Sequence, residues 1–207
     1  LLLHESIHDK VLDRLVERTH ALKLGNGLKD GSEVGPLINE ASREKALRYV
    51  EIARSEGDEV LTGGAIADKG DLSKGYFFQP TILRGVKPGS RLACEEVFGP
   101  VLSVIKFSDL DEAFRINNEV KYGLSSSIYT RDTTAAFRAM SELDNGITYV
   151  NAPTIGAEAH LPFGGVKQTG NGHREGGWEV YEFYSETKVC YVDYSGRLQR
   201  AQIDNYD

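Results

Sequence analysis

The feature that most narrows the fold is a regular change of hydrophobic period between residues 100 and 151. "PVLSVIKF" is a β-branched run in strand period. Asp109 then opens "DEAFRINNEV", which carries a helical pattern. "SSSIYT" returns to strand, "TAAFRAMSEL" to helix and "ITYVN" to strand. Side chains alternate faces along a strand but repeat every ~3.6 residues along a helix, so one segment cannot satisfy both periods. Strand alternating with helix leaves few packing solutions, and the leading one is a set of βαβ units around a parallel sheet. The expected fold class is α/β: a mainly parallel, twisted sheet flanked by helices.

The rest of the chain fits this frame. "LLLH" reads as the tail of a buried strand. Ser6 and Asp9 stand three apart before an apolar run of Val11, Leu12, Leu15 and Val16, continued by Leu22. That pattern predicts a capping box opening a helix of about four turns. "GNGLKDGSEVGPLIN" is a loop with glycine and proline breakers. Ala46, Leu47, Val50 and Ala53 recur at helical spacing and predict a second helix, closed by Gly57. "EVLTGG" reads as a strand and turn, and "GYFFQPTIL" as a strand. Beyond the glycines clustered between 156 and 177, a helix is expected near Glu175 to Tyr184. "KVCYVDY" is expected as a last strand before a polar tail.

Composition removes several function classes. Net charge is −7, from 24 Lys and Arg against 31 Asp and Glu, and no basic run marks a nucleic-acid surface. No apolar run is long enough to span a bilayer and no signal peptide is visible, so no membrane partner is expected. The two cysteines, Cys94 and Cys190, are distant in sequence and make no disulfide framework. A reducing, cytoplasmic location is expected. The chain starts at Leu1, without methionine and inside an apolar run, which reads as a cut end.

Four short patterns compete for attention. "HESIH", residues 4 to 8, matches the zinc-peptidase signature. If Ser6 caps the helix, His4 lies in extended chain and His8 inside the helix, so the two cannot share the helical face that a zinc site needs. Both histidines then read as surface groups, and the zinc hydrolase survives only as the runner-up enzyme class. "GVKQTG" fails as a phosphate loop because Gln168 separates Lys167 from Thr169. "GNGHREG" has the wrong glycine spacing for a dinucleotide fingerprint, despite Asp193 downstream, and reads as a tight turn. Cys94 is followed directly by Glu95 and Glu96, whose charges oppose thiolate formation, so it reads as a passive, partly buried thiol. Cys190 reads as strand packing.

"CEEVFGPVLSVIKF" is different. Two carboxylates, a phenylalanine and a Gly-Pro turn precede a buried strand, which places charge and an aromatic ring at a strand mouth, a ligand-facing position in α/β folds. Together with "GPLI", "GYFFQPTIL", "NNEVKYGLSSSIYT", "ITYVN" and "PFGGVKQTGNGHRE", it resembles the aldehyde dehydrogenase superfamily, with the blocks in family order. "PTIGAE" and "VDYSGRLQRAQ" look closest to its antiquitin-like, semialdehyde-oxidising branch.

The resemblance implies the fold of that family's catalytic domain. Residues 1–168 would be its C-terminal part, and 169–207 a C-terminal helix, an oligomerisation strand and a tail. It implies oxidation of an aldehyde to the acid through a thiohemiacetal, with NAD or NADP as cofactor. The nucleophilic cysteine, the oxyanion-hole asparagine, the general base and the dinucleotide-binding domain would all lie upstream of Leu1. The chain alone is then expected to be inactive, with the N-terminal half and further copies of itself, in a dimer or tetramer, as partners. Glu96 matches the position that binds the nicotinamide ribose hydroxyls, and Phe98 the one that packs beside the nicotinamide. Phe163 matches the wall of the substrate funnel. In the loop of Ile155, Gly156 and Ala157, the small residues let adjacent backbone N–H groups form a concavity for a substrate carboxylate. An apolar pocket is the alternative there. Glu175 matches a buried glutamate and is a candidate proton relay, with a structural salt bridge to Arg174 as the alternative. A non-catalytic assembly module is the third functional reading.

Overall fold

The computed structural model describes residues 1–196. The chain runs β1 (Leu2–His4), α1 (His8–Ala21), α2 (Glu40–Glu56), β2 (Glu59–Thr62), β3 (Thr81–Arg84), α3 (Arg91–Cys94), β4 (Val101–Phe107) and α4 (Leu110–Glu119). It continues through β5 (Tyr122–Gly123), β6 (Ser125–Ile128), α5 (Thr133–Glu142), β7 (Ile147–Val150), β8 (Val166–Lys167) and α6 (Glu179–Tyr184). The main sheet has the order β1-β4-β3-β2. β4 is parallel to both β1 and β3, and β2 closes the edge antiparallel to β3. β6 and β7 form a separate parallel pair, and β5 and β8 a short antiparallel one. The α/β, mostly parallel architecture expected from the alternating periods is the one found.

Strand alternation explains the layers. Ile82 and Val104 point to one face of the sheet, where Leu12 of α1 and Leu3 meet them. Their neighbours Leu83 and Ile105 point to the other, against Ala46, Val50 and Ala53 of α2 and Ile116 of α4. The sheet is thus covered on both sides, as parallel strands require. Leu83 and Val104 have no exposed surface at all. Full burial of such a side chain contributes about 1.5–3 kcal/mol, and Leu83→Ala would cost about 2–5 kcal/mol through transfer and cavity terms.

Caps set the helix boundaries. The Asn39 side chain accepts the Ser42 N–H at 2.8 Å to start α2, and Gly57 ends it at φ 90°. Asp109 accepts the Glu112 N–H at 2.9 Å to start α4, as its position before "DEAFRINNEV" predicts. Asp132 does the same for α5.

Several expectations are corrected. Ser6 is not a cap: α1 begins after Ile7 without a side-chain cap, and Ser6 instead shares a hydrogen bond with the His4 ring at 2.7 Å. His4 does lie in a strand and His8 in the helix, but His8 is buried rather than a surface group. Its Nδ1 pairs with Asp9 at 2.7 Å, which occupies the acid expected to complete the capping box. α1 also stops at Ala21, so Leu22 lies outside it. Of "GYFFQPTIL", only Thr81–Arg84 is a strand, because Pro80 cannot donate to a ladder; Phe78 contributes an isolated bridge to Ile66. "KVCYVDY" pairs with no strand among the described residues, and Cys190 is exposed rather than packed. Part of the tail expected after it, residues 197–207, lies outside the described residues. Among those described, no helix is long and apolar enough to cross a membrane, and no group of three or more His, Cys, Asp or Glu is placed to hold a metal ion.

Candidate functional site

The loop between α3 and β4 is the most informative segment. Its residues alternate inward and outward. Glu95 turns in to accept the Tyr49 hydroxyl of α2 at 2.5 Å and the Arg91 guanidinium of α3 at 2.9 Å. Val97 turns in and is buried in the α2-facing core. Glu96 and Phe98 are left facing out. The Glu96 backbone is nonetheless held, because Lys45 Nζ donates to its carbonyl at 2.6 Å. Phe98 is 74% exposed and sits at φ 58°, in the left-handed region that a bulky residue rarely adopts. A large ring in strained backbone and open solvent is a functional candidate in its own right.

Glu96 and Phe98 both line a cleft of about 510 Å³ whose other walls include Leu1, Cys94, Asn117 and Val120. The cleft lies at the amino end of β4, where the loop from α3 enters the strand. Half-buried Cys94, the last residue of α3, lines it as well. The electrostatics there are set by Glu95: the fork of Arg91 and the Tyr49 hydroxyl hold its carboxyl at about 2, far below the usual carboxylate value. The same contact with Glu95 raises the Tyr49 hydroxyl, which therefore stays protonated and able to donate.

The loop after β7 forms a second feature. Asn151 leaves the strand at φ 55°, with its side chain bonded to both the N–H (2.8 Å) and the carbonyl (2.9 Å) of Thr130. The Ser127 hydroxyl donates to the Ala152 carbonyl at 2.6 Å, and the Tyr149 hydroxyl donates to the Gly156 carbonyl. The loop is therefore pinned at its base while Ile155, Gly156 and Ala157 are exposed. The N–H groups of Gly156 and Ala157 donate to nothing among the described residues. Glu158 is exposed and forms no ion pair there.

Phe163 and Glu175 share a third place. Their backbones form a two-residue antiparallel bridge, and both line a separate cavity of about 360 Å³ with His173, Arg174 and Phe183. The Glu175 side chain is exposed, not buried, and Arg174 does not pair with it. The Arg174 guanidinium donates instead to the Gly165 carbonyl at 2.8 Å. The residues singled out in the sequence thus fall into two cavities and one open loop. Glu96 and Phe98 are together, Phe163 and Glu175 are together, and Ile155, Gly156 and Ala157 line neither cavity.

Sequence reasoning missed Lys45, Tyr49 and Arg91. The signals were available: Lys45 and Tyr49 are four apart on one face of α2, and Arg91 precedes Glu95 by four. Only the fold shows that the two faces meet.

Comparison with known proteins points to one family. The family model described as "Aldehyde dehydrogenase family" matches residues 1–190. Aldehyde dehydrogenase family 7 member B4 of Arabidopsis thaliana is 41% identical over 208 residues, covering 100% of this chain and 40% of its own. The alpha-ketoglutarate semialdehyde dehydrogenase of Haloferax volcanii is 39% identical over 194 residues, covering 93% and 40%. The betaine aldehyde dehydrogenase of Brucella anthropi is 37% identical over 191 residues, covering 92% and 39%. Among solved structures, the betaine aldehyde dehydrogenase of Staphylococcus aureus in complex with NAD+ superposes with a TM-score of 0.85 at 37% identity, covering 88% of this chain and 36% of its own. A chain from Burkholderia cenocepacia superposes with a TM-score of 0.90 at 35% identity, covering 98% and 41%. The chain spans about 40% of the length of the curated relatives it matches.

Proposed function

The chain belongs to the aldehyde dehydrogenase family, and from that premise we propose that it forms the nicotinamide-facing and substrate-facing part of an enzyme that oxidises an aldehyde to the acid with NAD or NADP. The observation that supports this most directly is the pair Glu96 and Phe98, turned out of a loop whose alternate residues are locked inward, onto one cleft.

The cleft's donor set fits the cofactor. An exposed carboxylate suits a vicinal pair of ribose hydroxyls, since each hydroxyl donates to a charged acceptor. An exposed aromatic ring beside it suits the flat face of a nicotinamide. Bound there, the cofactor supplies the hydride acceptor. Glu96 would orient the ribose, and Phe98 would exclude water from one side of the ring and limit its tilt. On this reading the nucleophile and the general base lie in the part of the whole protein that precedes Leu1, itself a wall of the cleft. The chain by itself then binds and positions but does not oxidise.

The substrate end is the pinned loop of Ile155, Gly156 and Ala157. Two free, adjacent N–H groups suit a carboxylate on the far end of the aldehyde. The alpha-ketoglutarate semialdehyde dehydrogenase among the relatives is in keeping with such a substrate. Unpaired Glu158 beside the loop favours a second reading, a cationic aldehyde, which the betaine aldehyde dehydrogenases among the relatives would suit. The exposed apolar residues of 187–194, with Tyr191 at 90% and Tyr194 at 94%, would be covered by strand pairing with a second copy.

The test is kinetic. In the whole protein, Glu96→Gln should raise KM for NAD+ and slow hydride transfer while circular dichroism stays unchanged. Unaltered NAD+ kinetics in that variant would remove the cofactor assignment. Saturable NAD+-dependent oxidation by the 207-residue chain alone would remove the claim that the chemistry lies upstream.

A further inference from the structure

We infer that Tyr49, Arg91 and Glu95 act as a positioning network that fixes the Glu96–Phe98 wall against its cleft, an inference that rests on the cofactor reading above. The geometry favours a dedicated hold over incidental surface pairing. Glu95 takes three donors at once: Arg91 Nε at 3.1 Å, Arg91 Nη2 at 2.9 Å and the Tyr49 hydroxyl at 2.5 Å. Arg91 also lies over the Tyr49 ring, its guanidinium carbon 5.5 Å from the centroid, so the three groups close a ring of contacts between α2 and α3. Lys45 flanks the same Tyr49 ring at 5.7 Å and carries its ammonium to the Glu96 carbonyl. Tyr49 is 9% exposed, so its hydroxyl is delivered from the core and cannot follow a drifting partner.

Holding this loop has a purpose. Extended backbone sends successive side chains to opposite sides. With Glu95 fixed by the network and Val97 buried, Glu96 between them is turned to the cleft, and Phe98 reaches the same cleft from its left-handed backbone. Phe98 occupies a backbone conformation costly for a bulky residue, and such strain persists only when the surroundings over-determine it. The network supplies the constraint on one side of Phe98. On the other, Gly99 lies close enough to α2 that a Cβ there would reach van der Waals contact with Ala46 at 3.5 Å. Loosening the network should let Glu96 swing and Phe98 relax, so the cofactor term should move and the aldehyde term should not.

The experiment is a double-mutant cycle in the whole protein. Tyr49→Phe keeps the buried ring and removes only the hydroxyl, and Arg91→Ala, at a half-exposed side chain, is the second route if the first disturbs folding. Each should lower kcat/KM for NAD+ about tenfold, as expected for loss of a hydrogen bond to a charged group, with KM for the aldehyde at saturating NAD+ unchanged. Combined with Glu96→Gln, each should add little further loss, because the network acts through Glu96. NAD+ kinetics like wild type in both single variants, or losses fully additive with Glu96→Gln, would overturn the positioning role. If Glu96→Gln alone leaves NAD+ kinetics unchanged, the cofactor reading fails first and the inference falls with it, an outcome distinct from the other two.

Discussion

Phe163 and Glu175 exchange both backbone hydrogen bonds: the Phe163 N–H donates to the Glu175 carbonyl at 2.5 Å and the Glu175 N–H to the Phe163 carbonyl at 2.7 Å. Glu175 therefore orders Phe163 through its main chain, while its side chain faces solvent. The bridge does not use the carboxylate. Glu175→Ala should change stability by no more than about 0.5 kcal/mol, the range of surface substitutions. Glu175→Pro removes the N–H and leaves the Phe163 carbonyl without its donor, a loss of about 1–3 kcal/mol. Thermal denaturation of the two variants checks the difference. Glu175→Gln should leave the pH profile of kcat in the whole protein unmoved; a lost limb in that profile would restore a proton-relay role.

Phe98 should show an inverted order of substitution. At φ 58° a Cβ is strained whatever else the side chain does. Phe98→Ala keeps that strain and Phe98→Gly relieves it, so glycine should be the more stable variant by about 1 kcal/mol, against the usual advantage of alanine. The ring is mostly exposed, so little burial is lost in either case. Both variants should weaken NAD+ handling. Chemical denaturation of the pair, beside NAD+ titration, separates the two effects. An alanine variant more stable than the glycine one would mean that Phe98 is not strained in solution.

How much of this was legible in the sequence follows from range. The period changes between 100 and 151 fix β4, α4, β6, α5 and β7 because alternation and helical repeat are local properties. The cap at Asp109 is local too. The box at Ser6 misled because its acid, Asp9, bonds back to buried His8, a contact that burial decides. "EEVFGP" could be read as a ligand-facing mouth, since charge and ring stand directly before a strand. Its support could not: Tyr49 and Glu95 are 46 residues apart, and only the packing of α2 on α3 brings them to 2.5 Å. The strand expected at 187–194 takes no ladder among the described residues, because its expected partner is a second copy. An apolar, β-branched run has strand propensity but needs a partner to form a ladder, and none of the described residues provides one.

Glu95 should give the protein a stability limb in acid. Its folded value of about 2 lies below the ordinary 4.5, held there first by Arg91 and then by Tyr49. A depressed carboxylate stabilises fully above its unfolded value, and that contribution is lost as pH falls through the folded one. The difference in Tm between wild type and Glu95→Gln should therefore be constant above pH 4.5 and shrink from there towards about 2. The side chain is 37% exposed, so solvent and salt screen the pair, and added salt should narrow the difference. A difference that widens on acidification would have the wrong sign for this carboxylate.

On the proposed reading, the substrate preference turns on the loop of Ile155, Gly156 and Ala157. The Gly156 carbonyl is taken by the Tyr149 hydroxyl, which fixes that peptide plane and leaves the Ala157 N–H on its opposite side. The Gly156 and Ala157 N–H groups donate to nothing among the described residues, and a carboxylate terminus needs such donors. Glu158 opposes this, since its exposed carboxylate, without an ion pair among the described residues, lies beside the same loop. The two effects differ in reach. Direct N–H donation to an anion acts at contact and survives salt, whereas repulsion by an exposed charge falls off within about 8–10 Å at ordinary ionic strength. The contact effect should win, and the whole protein should prefer glutarate semialdehyde to pentanal, an aldehyde of equal chain length. Two hydrogen bonds to a charged group are worth about 3 kcal/mol or more together, over a hundredfold in kcat/KM. Glu158→Gln should raise kcat/KM for the semialdehyde modestly at low salt and leave pentanal unchanged. Equal values for the two aldehydes would leave an apolar pocket, and a preference for betaine aldehyde that Glu158→Gln abolishes would transfer the specificity to Glu158.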